Sequence, residues 1–235
     1  MSDIHDPRLA FADWLHRELV REFAGETEPW ALERAARVQH RLNEHREGFP
    51  ALETTILWVP PPLAFTLAGS HVYVARSLFQ RLPSDDALAF VLAHEAAHHD
   101  LGHLDLFDGW ARWLPRSHAT GYVAMLARLF EHHTYGPERE MAADEYAIRL
   151  AMQAGYDGDR SAQALAILEQ LALDRGDIGG VFGPENLLDP TDPENDSTGY
   201  AVQQWVWTHL HGYLPLHARA VYARRLAHAI RDAVA

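Results

Sequence analysis

The run His94-Glu95-Ala96-Ala97-His98 places two histidines four residues apart, with a glutamate directly after the first. On a helix the two imidazoles project from one face, one turn apart, so both can ligate a single metal ion. Glu95 then sits beside the ion and can take a proton from a water that the ion activates. The residues from about 85 to 100 are otherwise almost entirely apolar. Burying a glutamate and two histidines there is costly unless something pairs them. The pattern therefore points to a metal site rather than to histidines of a satisfied core.

A catalytic zinc takes three protein ligands and keeps one position open. One source for the third is a histidine shortly after the motif, in a pattern with glycine at 101 and histidine at 104. Leu101 and Leu104 stand there instead, and Gly102 and His103 are each displaced by one. The other source is a carboxylate from a later helix. Glu140 and Asp144 lie one turn apart in Glu138-Arg139-Glu140-Met141-Ala142-Ala143-Asp144. Glu140 can ligate while Asp144 orients a ligand imidazole through its other ring nitrogen. The small pair Ala142-Ala143 lets the two helices approach closely. Alone, these acids would read as the solvated start of a helix. His132 and His133 are rival third ligands.

Composition narrows the chemistry further. The 235 residues contain no cysteine, which excludes thiolate ligands, a cysteine nucleophile and disulfides, and leaves any metal to His, Asp or Glu. The 16 histidines supply ample ligands, and all 20 basic side chains are arginine. A net charge of −13 argues against a nucleic-acid partner. The N-terminal residues lack a basic region followed by an apolar core. The long uncharged stretch from Thr54 to Ala75 contains Pro60-Pro61-Pro62 and Gly69-Ser70-His71, which do not suit a membrane helix. The expectation is a soluble, cytoplasmic protein with no integral membrane segment.

The elements that must position these residues follow from periodicity. Helices are expected over 6–25 and 29–47, with Pro29 starting the second and Gly48 ending it. Thr54-Thr55-Ile56-Leu57-Trp58-Val59 and His71-Val72-Tyr73-Val74 read as strands, and Gly69-Ser70 as a tight hairpin. Together they predict a small antiparallel sheet, with the strand at 71–76 either an edge open to an extended substrate or covered by another element. Ser84-Asp85-Asp86 caps the buried motif helix. One or two helices are expected over 104–133, where Trp110, Trp113, Tyr122 and Phe130 are core or an exposed apolar surface. Further helices are expected at 136–155, 158–173 and 215–232, with a mobile acidic loop at 174–198. The fold class is α+β, mostly helical, in one domain spanning 1–235: N-terminal helices (1–50), a catalytic core (54–165), the loop, and a C-terminal helical segment (199–235).

With these motifs in order, the sequence resembles the HtpX and CAAX prenyl protease family of gluzincin zinc metallopeptidases. The resemblance covers roughly 54–165 well and the C-terminus weakly. Its motifs are Ala64-Phe65, Gly69, His71-Val72-Tyr73-Val74, Asp85-Asp86, Val91-Leu92-Ala93-His94-Glu95, His103, the Glu-x-x-Ala-Asp match at Glu140 to Asp144, and Ala154 to Asp157. Two departures stand out. Leu63 replaces an asparagine, and the family's His-Pro before an arginine-bearing helix has no single match within 208–219. Many members also carry membrane helices. The resemblance implies a zincin fold whose small sheet packs on the active-site helix, and one Zn2+ per chain held by His94, His98 and Glu140. It further implies Asp144 behind the ligands, Glu95 as the base, and a protein or peptide as substrate. His211 or Tyr213 would stabilise the oxyanion, with His209 and His217 as further candidates. The alternative is a latent or non-catalytic zinc-bound regulatory protein in which one of these histidines blocks the open metal position.

Overall fold

The computed structural model describes residues 7–25, 27–48, 50–59, 62–104, 136–174 and 216–234. The elements are α1 (Pro7–Phe23), α2 (Pro29–Asn43), β1 (Glu53–Leu57), β2 (Ala64–Leu67), β3 (His71–Ala75), α3 (Arg76–Phe79), α4 (Asp85–Asp100), α5 (Gly136–Gln153), α6 (Gly158–Asp174) and α7 (Leu216–Val234). The architecture is α+β and mostly helical, as expected. The short α3 was not foreseen. The helices expected over 104–133 and the loop expected over 174–198 lie, past Leu104 and Asp174, outside the described residues. So do Trp110, Trp113, Tyr122 and Phe130.

The hairpin forms as its turn residues predict. Gly69 and Ser70 both take positive φ (81° and 63°), and β2 pairs antiparallel with β3 from Leu67↔His71 to Ala64↔Val74. The sheet as a whole is mixed, which corrects the wholly antiparallel expectation. β1 pairs parallel with β3, from Glu53↔His71 to Leu57↔Ala75, and the strand order is β1-β3-β2. After β1 the chain passes to the far side of β3 before entering β2, so β1 and β3 run in the same direction. β3 is therefore the central strand, not the edge open to substrate. Its centre is fully enclosed, with Val72, Tyr73 and Val74 at 0% exposure.

α4 is the axis of the fold. Ser84 caps it, its side chain accepting a hydrogen bond from the Ala87 N–H at 3.2 Å. Every residue from Ala87 to His98 is buried, as an all-round apolar helix requires. α2, β2, α5 and α6 pack around it.

Arginines of α2 and the turn after it hold both ends of this helix. At the N-terminus, Arg34 Nε donates to Asp85 Oδ1 at 2.9 Å while its Nη2 donates to the Leu82 and Ser84 carbonyls. Arg37 donates to Asp85 Oδ2. At the C-terminus, α2 stops at Asn43 rather than 47. The Asn43 side-chain amide pairs both ways with the Leu52 backbone, and the turn that follows delivers Arg46 inward. Arg46 donates to both oxygens of Asp100 (2.7 and 2.5 Å), to the Pro50 carbonyl and to Ser70 Oγ, and Tyr146 of α5 donates to the same carboxylate. Gly48 lies against that carboxylate so closely that a Cβ would sit 2.1 Å from Asp100 Oδ1. Among the described residues no helix is long and apolar enough to cross a membrane.

Two outcomes follow. The Arg46 and Asp100 side chains are 1% and 9% exposed, so Arg46→Met strands a buried carboxylate and should cost about 3–5 kcal/mol in urea denaturation. At the other end, burial raises the pKa of Asp85, but Arg37 and Arg34 outweigh it and hold the carboxyl below its ordinary value. The stability Asp85 contributes is complete above ~3.9, the unfolded value, and is lost as pH falls through the lower folded pKa. Asp85→Asn should flatten the acid limb of the stability curve below about pH 4.

Candidate metal centre

Helical spacing on α4 and on α5 brings four side chains to one buried point. His94 Nε2 and His98 Nε2 are 3.1 Å apart. Glu140 enters from α5, with Oε2 at 3.5 Å from His94 Nε2 and Oε1 at 3.6 Å from His98 Nε2. One turn on, Asp144 Oδ1 lies 3.0 Å from His94 Nδ1, on the opposite edge of the ring. Ala143 is at 0% exposure, and α5 packs directly on α4. His94, His98, Glu140 and Asp144 are all buried. Glu95 is 2% exposed and adjoins His94 on the same helix.

Arg219 of α7 completes the group, and the sequence reading did not single it out. Its Nε donates to Asp144 Oδ2 at 2.7 Å, its Nη2 donates to Asp144 Oδ1 at 2.9 Å, and Nη2 lies 3.0 Å from Glu140 Oε2. A signal for it exists. Arg219, Ala223 and Ala227 recur every four residues, and all three are buried. A lone cation in register with an alanine stripe needs an anion opposite it.

The electrostatics ask for positive charge. Burial disfavours the charged form of His94, yet hydrogen bonds and charge from Asp144 and Glu140 prevail and push its pKa up to about 10. Burial also works against the Asp144 carboxylate, but Arg219 and His94 hold its pKa below the usual carboxylate range. Arg219 and the charged form of His94 both face these two carboxylates, and beside them lies the cluster of His94, His98 and Glu140.

That cluster fits a metal ion. One ligand atom from each of the three residues lies within 4.8 Å of the others. Tetrahedral donors at ~2.1 Å from zinc stand ~3.4 Å apart; the two Nε2 atoms are 3.1 Å apart, and each has a different Glu140 oxygen near that distance, Oε2 at 3.5 Å and Oε1 at 3.6 Å. His103 faces the other side of His98, with the two Nδ1 atoms 3.0 Å apart, so it stands behind a ligand rather than among them. Burial and the Arg139 charge hold the His103 pKa below the ordinary histidine value. His132, His133, His209, His211 and Tyr213 lie outside the described residues. His217 falls in the first turn of α7, with its side chain outside them too.

The sequence matches the model of the family described as Peptidase family M48 over residues 31–210, more than half of the chain. No curated protein sequence matches it significantly.

Removing Arg219 leaves Glu140 and Asp144 with less counter-charge in a dry site. Arg219→Met should destabilise the metal-free protein by about 3–5 kcal/mol in urea denaturation. A loss below ~1 kcal/mol would mean that the guanidinium does not compensate the pair.

Proposed function

The chain belongs to peptidase family M48, a family of metallopeptidases, and from that starting point we propose that it is a zinc-dependent endopeptidase acting on protein or peptide substrates. The observation that carries this reading is the convergence of His94 Nε2, His98 Nε2 and the Glu140 carboxylate in a buried site fed by two helices. Two imidazoles and one carboxylate form a donor set suited to catalytic zinc.

His94, His98 and Glu140 hold the ion in this proposal. Zinc supplies a Lewis acid that polarises the scissile carbonyl and lowers the pKa of water. Glu95 takes the proton from the attacking water and delivers it to the leaving amine nitrogen. Asp144 accepts from His94 Nδ1–H, which keeps the proton on that nitrogen and leaves Nε2 free to ligate. Arg219 holds the Glu140 and Asp144 carboxylates at fixed positions. From the C-terminal segment, His211 or Tyr213 donates a hydrogen bond to the developing oxyanion.

Glu95→Gln tests the central assignment. The variant should keep one zinc per chain by metal analysis while its kcat on an unfolded protein or a fluorogenic peptide falls by roughly 10²–10⁴-fold. Full activity would remove Glu95 as the base, and an absence of zinc in the wild type would remove the zinc reading itself.

A further inference from the structure

The end of α4 is shaped to place a second histidine behind a first. Gly102 takes φ 71°, the left-handed region that favours glycine. The Gly102 N–H bonds the His99 carbonyl at 3.2 Å, and the His103 N–H bonds the His98 carbonyl at 2.9 Å. These two bonds are the pair that defines a Schellman cap, with Gly102 just past the helix and His103 next. Such a cap usually closes with an apolar contact between the residue in the position of His103 and the one in the position of His98. Here both are histidines. Their rings lie 5.2 Å apart and their Nδ1 atoms 3.0 Å apart, with His98 at 0% and His103 at 7% exposure.

We propose that His103 is a positioning residue for the metal centre: its Nδ1 accepts the Nδ1–H of His98 and fixes that ring with Nε2 toward His94 and Glu140. The inference rests on the zinc reading above, because ligation through His98 Nε2 puts the proton on Nδ1. His103 then presents a lone pair at its own Nδ1 and carries its proton on Nε2. The two histidine ligands are thus oriented by different means. His94 is backed by a carboxylate from a separate helix, His98 by a neutral imidazole delivered by the cap of its own helix. The spacing that disqualifies His103 as a ligand is the spacing the cap needs to set it behind one.

Metal affinity measured by competition with a chelator, together with the visible absorption of the cobalt-substituted protein, tests this without relying on turnover. His103→Asn keeps an acceptor near the position of Nδ1. His103→Gln moves it about one bond farther out. His103→Leu supplies the usual apolar cap contact and no acceptor. The Asn variant should bind zinc within about threefold of wild type with an unchanged cobalt spectrum. The Leu and Gln variants should lose about 10–100-fold in affinity and show a shifted spectrum. Wild-type affinity in His103→Leu, or a loss in His103→Asn as large as in His103→Leu, would overturn the proposal. Should circular dichroism show that the Leu variant does not fold, the contrast between Asn and Gln decides. His94→Ala separates the two readings. If wild type binds zinc, His94→Ala abolishes binding and His103→Leu leaves it intact, the metal centre stands and the role of His103 falls. If wild type binds no metal, both fall.

Discussion

Placing ionisable groups on a helix that water does not reach is the constraint from which the rest of this structure follows. α4 is buried from Ala87 to His98, and that stretch includes His94, Glu95 and His98. Unpaired, such groups would cost several kcal/mol each. Compensation comes from two other helices: Glu140 and Asp144 on α5, and Arg219 on α7. The helices that pack on α4 are therefore also those that balance its charge, and the core and the candidate site are one construction. Arg219 and His94 face these two carboxylates, and the raised pKa of His94 reflects their negative charge.

Ligand geometry on one helix is only as good as the hold on that helix, and arginine supplies the hold at both ends. Arg34 and Arg37 grip Asp85, and Arg46 grips Asp100. Each uses several donors of a rigid planar fork, which a lysine ammonium cannot reproduce. Arg46 also reaches Ser70 in the hairpin, and Tyr146 of α5 shares its carboxylate. The same cluster thus ties the sheet, α2 and α5, which carries Glu140, to the end of α4 that carries His98.

Much of this was legible in the sequence because it is local. The start of α4 at Ser84-Asp85-Asp86 is a capping pattern within four residues. The pairing of His94 with His98, and of Glu140 with Asp144, follows from the 3.6-residue period once each segment is read as a helix. The hairpin was legible from Gly69-Ser70. The mixed sheet was not, because nothing within β1 says whether its partner runs with it or against it. That is decided by the path the chain takes around β3.

By itself, then, the sequence determined which atoms could act as ligands, which helix face carries them, and that no thiolate could join them, since helical periodicity and residue chemistry are properties of short segments. Only the tertiary structure decided that Glu140 meets His94 and His98, that Arg219 closes against Asp144, and that Arg46 anchors Asp100. Each of these contacts joins residues tens of positions apart. Their pairing is set by how apolar faces pack and by which buried charges must find one another, and neither is written in any local spacing.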